Sequence, residues 1–315
     1  VTRRALLLAA IALPRAAAAQ RRTVRLVVPA APGGAIDVIG RLYAQRLAEL
    51  LNQVWVVENR SGANNTLGAA EVARAAPDGL TFLVNADIHL MAPHVMRAVP
   101  YDPIADFTPI GRLATAPLVL VGNPQATPAD LPALIAAMRA EPQRFTFANS
   151  ALGAMGHLAT ESFKARIAVD SLVVSYRGTA PALTDVLSGQ ATLMVAPLLS
   201  ALPHLQAGRL RGFALTGTHR SALVPALPTM AEAGLPDMVF TLWYAVWAPK
   251  GLPEDTLRSV NAAIQAVARE PAMAARLAEQ GADPVAEDSA GFARFLQAEA
   301  ARNAEIARRA GIRPE

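Results

Sequence analysis

Short apolar strands alternate with amphipathic helices along most of the chain, and this alternation constrains the fold more than any other feature. Val24 to Val28 reads as a strand, Pro29 to Gly34 stops it, and Ile36, Ile39, Tyr43, Leu47 and Leu50 then recur at helical spacing. Trp55 to Val57 is the next strand, Leu67 to Ala76 the next helix, and Pro77-Asp78-Gly79 turns the chain into the strand Thr81 to Val84. A repeated strand–loop–helix order favours an α/β fold, a mostly parallel sheet with helices on both faces.

The same rhythm returns further on. Phe145 to Ala148, Leu172 to Ser175, Thr192 to Val195 and Gly212 to Leu215 are strand candidates, separated by helices over Met155 to Arg166, Ala180 to Ser188 and Leu198 to Ala207. Thr127-Pro128 reads as a cap followed by proline in the first helical position, with Asp130 in the first turn. The last third reads as helices over Glu254 to Arg269, Ala272 to Gln280 and Gly291 to Ala310. Two lobes are expected: the first from residues 20–118 and 244–315, the second from 119–243. Leu118 to Val121 and Trp243 to Val246 serve as the crossing strands. With 53% hydrophobic residues, the chain can fill two cores.

The first residues read as an address. Arg3 and Arg4 precede the apolar run Ala5 to Leu13, and Ala17-Ala18-Ala19 offers a small-residue cleavage site, the order of a secretory signal peptide over residues 1–19. The run is shorter than the roughly 20 residues that span a bilayer. Thr2-Arg3-Arg4 also resembles a twin-arginine export signal. A periplasmic protein is expected, and the absence of cysteine leaves no residue for a lipid anchor, a disulfide or thiol catalysis. Removing residues 1–19 takes Arg3, Arg4 and Arg15 and leaves 26 Lys+Arg against 25 Asp+Glu, so the basic balance is no argument for nucleic acid.

Ligands of open α/β sheets sit beyond the carboxyl ends of strands, beside helix N-termini whose unpaired N–H groups favour anions. Five corners here carry suitable residues. They are Gly33 and Gly34 ahead of Asp37, then Asn64, Asn65 and Thr66, then Asn85 with Asp87, then Ser150 and Gly153 ahead of His157, and lastly Gly178 and Thr179. Each alone is equally a loop with its cap, as Asp37 and Thr179 would be. Converging on one cleft, they form a cage of backbone donors suited to a carboxylate. Trp243 and Tyr244 are either cleft wall or core.

Catalysis has no positive sequence support. No Gly-x-Ser-x-Gly elbow, Walker sequence or His-Glu-x-x-His occurs, and the five histidines are scattered. No metal or cofactor is expected. A periplasmic hydrolase or isomerase remains a distant alternative.

Several stretches together resemble the substrate-binding proteins of tripartite tricarboxylate transporters, the Bug family. They are Arg25-Leu-Val-Val-Pro-Ala-Ala-Pro-Gly-Gly-Ala-Ile-Asp37, Val57-Glu-Asn-Arg-Ser-Gly-Ala63, Ala75-Ala-Pro-Asp-Gly79, Pro100-Tyr-Asp-Pro103, Tyr176-Arg-Gly-Thr-Ala-Pro-Ala-Leu-Thr-Asp185, Ala201-Leu-Pro-His204 and Pro228-Thr-Met-Ala-Glu-Ala-Gly-Leu-Pro236. The resemblance runs from about Val24 to Gly311. It implies a two-lobed Venus flytrap with crossing hinge strands that closes on a small organic carboxylate and docks to the membrane components of such a transporter. A sensor kinase is the alternative partner, and a monomer is expected. Carried over by position, it points to Gly33, Gly34, Asp37, Asn64, Asn65, Thr66 and Asn85 in the first lobe and to Ser150, Gly153, His157, Gly178 and Thr179 in the second.

Two departures bear on the ligand. Many relatives carry an acid after the strand that here reads Leu193 to Pro197; Val195 and Ala196 stand there instead, which argues for an uncharged or apolar ligand tail, with Ala196 as a contact. Asn85-Ala86-Asp87 replaces small hydroxyl residues, and a carboxylate at Asp87 near the cleft disfavours a second ligand carboxylate.

Overall fold

The protein is described here by a computed structural model covering residues 22–176 and 178–314. The signal segment expected over residues 1–19 lies outside the described residues, as does Arg177.

The first lobe begins β1 (Thr23–Val28), α1 (Ala35–Leu50), β2 (Val54–Asn59), α2 (Thr66–Ala73), β3 (Thr81–Ala86), α3 (Ile88–Val95). β1 pairs in parallel with both β2 and β3, the core that the alternating pattern predicts. A long strand, β4 (Phe107–Gly122), then leaves for the second lobe. That lobe holds α4 (Leu131–Ala140), β5 (Phe147–Asn149), α5 (Met155–Ile167), β6 (Val173–Ser175), α6 (Thr179–Ser188), β7 (Leu193–Pro197), α7 (Leu198–Gln206) and β8 (Arg211–Leu215). β9 (Thr241–Pro249) re-enters the first sheet, followed by α8 (Glu254–Ala268), α9 (Pro271–Ala278), the short β10 (Asp283–Pro284) and α10 (Ser289–Arg309).

β4 joins the two sheets. Its residues Phe107 to Pro117 pair antiparallel with β9, and Leu118 to Gly122 pair antiparallel with β7 and β8. Each sheet is therefore mixed: a parallel trio, β2-β1-β3 or β6-β5-β7, completed by antiparallel strands. The sequence shows only Leu118 to Val121 of this crossing. Pro109, Gly111 and Pro117 break the apolar run, and the ladder to β9 shifts register between Pro109 and Gly111 and again between Arg112 and Ala114. Bulges of this kind bend a strand, which suits one that passes between two sheets.

Period-two side-chain alternation fills a core on both faces of each sheet. In β9, Tyr244, Val246 and Ala248 face α1 and α8, while Trp243, Ala245 and Trp247 face Phe292 and Leu296 of α10. In β7, Leu193 and Val195 face α4 and α5, while Met194 and Ala196 face α6 and α7. Two helices cross the lobe boundary. Met91 and Val95 of α3 join the second lobe's core, as does Ala307 of α10, although Phe292 and Leu296 lie in the first. At α4 the cap is Asp130, not Thr127: its carboxylate accepts the Ala133 N–H at 2.8 Å, and the helix begins at Leu131. Asp130 sits one residue before the first turn, where its short side chain reaches the free N–H groups.

Candidate ligand-binding site

Two adjoining cavities, about 300 and 220 Å³, open between the lobes and share Gly34, Ala35, Thr179, Pro197, Leu242 and Tyr244 in their walls. Ala35 and Ile36 start α1, Ile88 starts α3, Met155 and Gly156 start α5, Thr179 and Ala180 start α6, and Leu198 starts α7. Five helix N-termini from both lobes thus meet at one place. The first N–H groups of a helix have no carbonyl of their own, and each dipole favours a nearby anion by about 0.3–1 kcal/mol. No Lys or Arg lines either cavity among the described residues; the donors there are backbone N–H groups and the side chains of Ser150, Thr179, Ser200, Tyr244 and Gln280. Much of the remaining wall is apolar, with Val38, Ile39, Leu198, Leu199 and Leu242 together with the ring of Tyr244, and Asp87, Ser200 and Gln280 add polar groups. Burial pushes the Tyr244 hydroxyl well above its ordinary pKa, so it stays protonated and can donate.

The structure brings Gly34, Asp87, Ser150 and Thr179 to the cavity wall and sets the other expected residues behind or beside it. Asp37 is buried and points away: its carboxylate accepts the Gly33 N–H at 2.9 Å, the Asn59 amide at 2.9 Å and the Arg41 guanidinium at 3.0 Å. Burial alone would raise its pKa; these donors outweigh burial and hold it below the usual carboxylate range. Asp37 and Gly33 together fix the shape of the corner that presents Gly34. Gly178, at φ +119, does the same for Thr179 by donating its N–H to Ser150 O at 2.8 Å.

His157 is buried, and its Nδ1 accepts the Gly153 N–H at 3.0 Å. Burial, and then the nearby Lys164, push the ring down to about 4, so it is a neutral acceptor that closes the loop before α5. Gly153, at φ +74, lies against α3, where a Cβ would stand 2.5 Å from Val95 Cγ1. Asn85 is fully buried, and its Oδ1 accepts the Ala86 N–H at 2.9 Å. Ala196 is fully buried among Val119, Ala148 and Ala182. Strand alternation turns it under α6 and α7, and its neighbour Pro197 is the residue that lines both cavities. Asn64 and Asn65 are outside both walls. They belong to a left-handed run, Ala63, Asn64 and Asn65 at φ 45, 49 and 66, closed by the Thr66 hydroxyl donating to Ala63 O at 2.6 Å.

A two-lobed α/β chain with helix N-termini gathered at an interlobe cavity has the form of a periplasmic solute-binding protein. The model of the tripartite tricarboxylate transporter family receptor matches residues 39–312. The chain belongs to this family. As a tripartite tricarboxylate transporter family receptor it is 35% identical to Protein BugT of Bordetella pertussis strain Tohama I over 294 residues, 93% of this chain and 90% of BugT. The solved structure of Rpa4515 from R. palustris with adipate is 36% identical, with a TM-score of 0.83 over 93% of this chain and 99% of that one. MatC from Rhodopseudomonas palustris with bound malate is 31% identical, with a TM-score of 0.78 over 91% and 99%. The solved structure of periplasmic binding protein BugD is 29% identical, with a TM-score of 0.80 over 93% of this chain and 99% of that one. In this family receptor no group of three His, Cys, Asp or Glu is placed to hold a metal among the described residues, and no described helix is long and apolar enough to cross a membrane.

No motif marks Leu118, Met155, Gly156, Leu198 and Leu242 of this receptor as cleft residues, yet they line it. They are apolar residues at strand ends and helix starts, and only the pairing of β4 with β7 and β9 brings them together.

Proposed function

We propose that this protein captures a small organic carboxylate between its lobes and delivers it, unchanged, to a tripartite tricarboxylate-type membrane transporter. The observation that carries the proposal is the meeting of five helix N-termini at an interlobe cavity whose described walls hold no cationic side chain. Backbone donors of this kind suit a carboxylate, and the apolar remainder suits a tail without charge. The adipate and malate bound to two relatives support the ligand class. In this reading the hinge lies where β4 passes from β9 to β7, near Pro117 and Leu118, and where the chain returns at Thr241.

The test is a thermal-shift and calorimetric screen against mono-, di- and tricarboxylates, aromatic acids and amino acids. Any ligand that binds only the folded state raises stability by about 2.7 kcal/mol at a hundredfold excess over its Kd. A carboxylate hit is expected, followed by ligand-dependent association with the transporter's membrane subunits. A screen in which only non-acidic solutes stabilise the protein would overturn the assignment.

A further inference from the structure

Asp87 lines the smaller cavity, yet its carboxylate is already engaged across the lobes. It follows β3 in the first lobe, is 3% exposed, and its Oδ2 accepts the N–H of Met155, the first residue of α5 in the second lobe, at 3.1 Å. α5 has no cap of its own: Ala154 at the cap position offers no side-chain acceptor, and the first turn holds no acid. A carboxylate from the opposite lobe therefore sits on a helix N-terminus at the cavity wall. That is the place where a ligand anion would otherwise be held.

We propose that Asp87 is a built-in stand-in for a ligand carboxylate, one that fills the α5 N-terminus and restricts the cleft to acids with a single carboxylate and an uncharged tail. The inference rests on the carboxylate-binding reading and sharpens it to a ligand class. A monocarboxylate takes N-termini among the four that remain, those of α1 and α6 lining both cavities, and lays its tail along Leu242 and Tyr244. A dicarboxylate of matching length must bring its second charge up to Asp87 in a dry site, where like charges are poorly screened.

Of the charged groups that act on Asp87, Arg302 on α10 favours its ionised form and Glu299 beside it opposes it, and the two are paired with each other. On α10, Arg302 is paired with Glu299 at 3.0 Å and also donates to Val239 O at 3.4 Å. On β9, Tyr244 remains protonated; on α3, burial holds His89 neutral, down to about 4, and on α5 His157 is neutral as well. Burial pushes Asp87 itself up to about 7, so discrimination against a second carboxylate is greatest above neutral pH and fades below it.

Matched pairs from butyrate and succinate to octanoate and suberate, with hexanoate and adipate at the centre, decide the matter by calorimetry at about pH 8.5. The wild type is expected to favour the monocarboxylate of its best pair by about tenfold or more. Asp87→Asn keeps an acceptor for Met155 but removes the charge, and should bring the pair to near equality. Asp87→Ser empties the corner and should favour the dicarboxylate. At about pH 6.5 the wild type should lose much of its preference while Asp87→Asn does not change. A wild type that binds the dicarboxylate as well as its partner, or an Asp87→Asn variant with undiminished preference, overturns the inference and leaves the carboxylate reading standing. If no acid of either series binds any of the three proteins, both fall together.

Discussion

Replacing Asp37 separates a residue that touches ligand from one that shapes the corner presenting it. Its carboxylate is buried and is satisfied by the Gly33 N–H, the Asn59 amide and the Arg41 guanidinium. In Asp37→Ala the ion pair costs little, at most about 0.5 kcal/mol, because half of the Arg41 side chain is in water. The other two bonds matter more. Gly33 is exposed and its N–H can take up water, and Asn59 keeps its bond to Ala30 O, so each loss amounts to roughly 1 kcal/mol rather than the full cost of a buried orphan. The total is about 2–3 kcal/mol, or roughly 5 °C in Tm for a chain of this size. Affinity should fall by about tenfold because Gly34 loses its support, not because a contact to ligand is lost. Asp37→Asn retains an acceptor and should lie between. The pH dependence has a fixed sign. The folded pKa lies below the unfolded value of about 3.9, so the contribution is complete above that pH and is lost as pH falls through the lower folded value. Wild-type and Asp37→Ala stability curves should therefore converge in acid. Thermal unfolding and calorimetry across pH test this; an Ala variant with wild-type Tm and affinity would refute the reasoning.

Two further substitutions probe the core and the lobe contact. Gly153→Ala should cost about 2–4 kcal/mol in thermal unfolding, from a left-handed backbone combined with a Cβ 2.5 Å from Val95 Cγ1; a wild-type Tm would show that α3 does not press on this loop. Ala196→Asp should destabilise by about 4 kcal/mol or more, since it buries an unpaired carboxyl among Val119, Ala148 and Ala182. A folded Ala196→Asp protein with a newly acquired taste for ammonium-bearing ligands would instead place position 196 in the cleft.

The elements easiest to find from sequence were those with uninterrupted periodicity, such as β1 and α1, whose buried Ile39, Tyr43 and Leu47 recur at helical spacing. Most of β4 was hidden because its prolines and Gly111 look like loop residues, and it forms a strand only because β9 lies alongside it. α3 was missed for a similar reason: it is one short helix with Pro93 inside it, held by contacts to both lobes rather than by its own pattern. At the site, sequence could place a corner near the cleft but not say which side of the corner faces it. Asp37 and His157 have the chemistry of ligand contacts, yet each accepts a glycine N–H four residues earlier in the chain. Ala196 was one residue from the cavity, and in a strand one residue is the difference between two faces.

α10 has a mechanical consequence. Its first half is anchored by Phe292 and Leu296 on one side of the hinge and its second half by Ala307 on the other. Where strands alone link two bodies, those bodies can twist as well as part. A rigid rod glued at both ends suppresses the twist and limits how far the mouth can gape. Between the anchors, at Asn303, lies a buried amide with no partner among the described residues, a weak point in a seam that also holds the Arg302–Glu299 pair. Bending there, rather than sliding of either core, is the motion that this splint leaves for letting solute in and out.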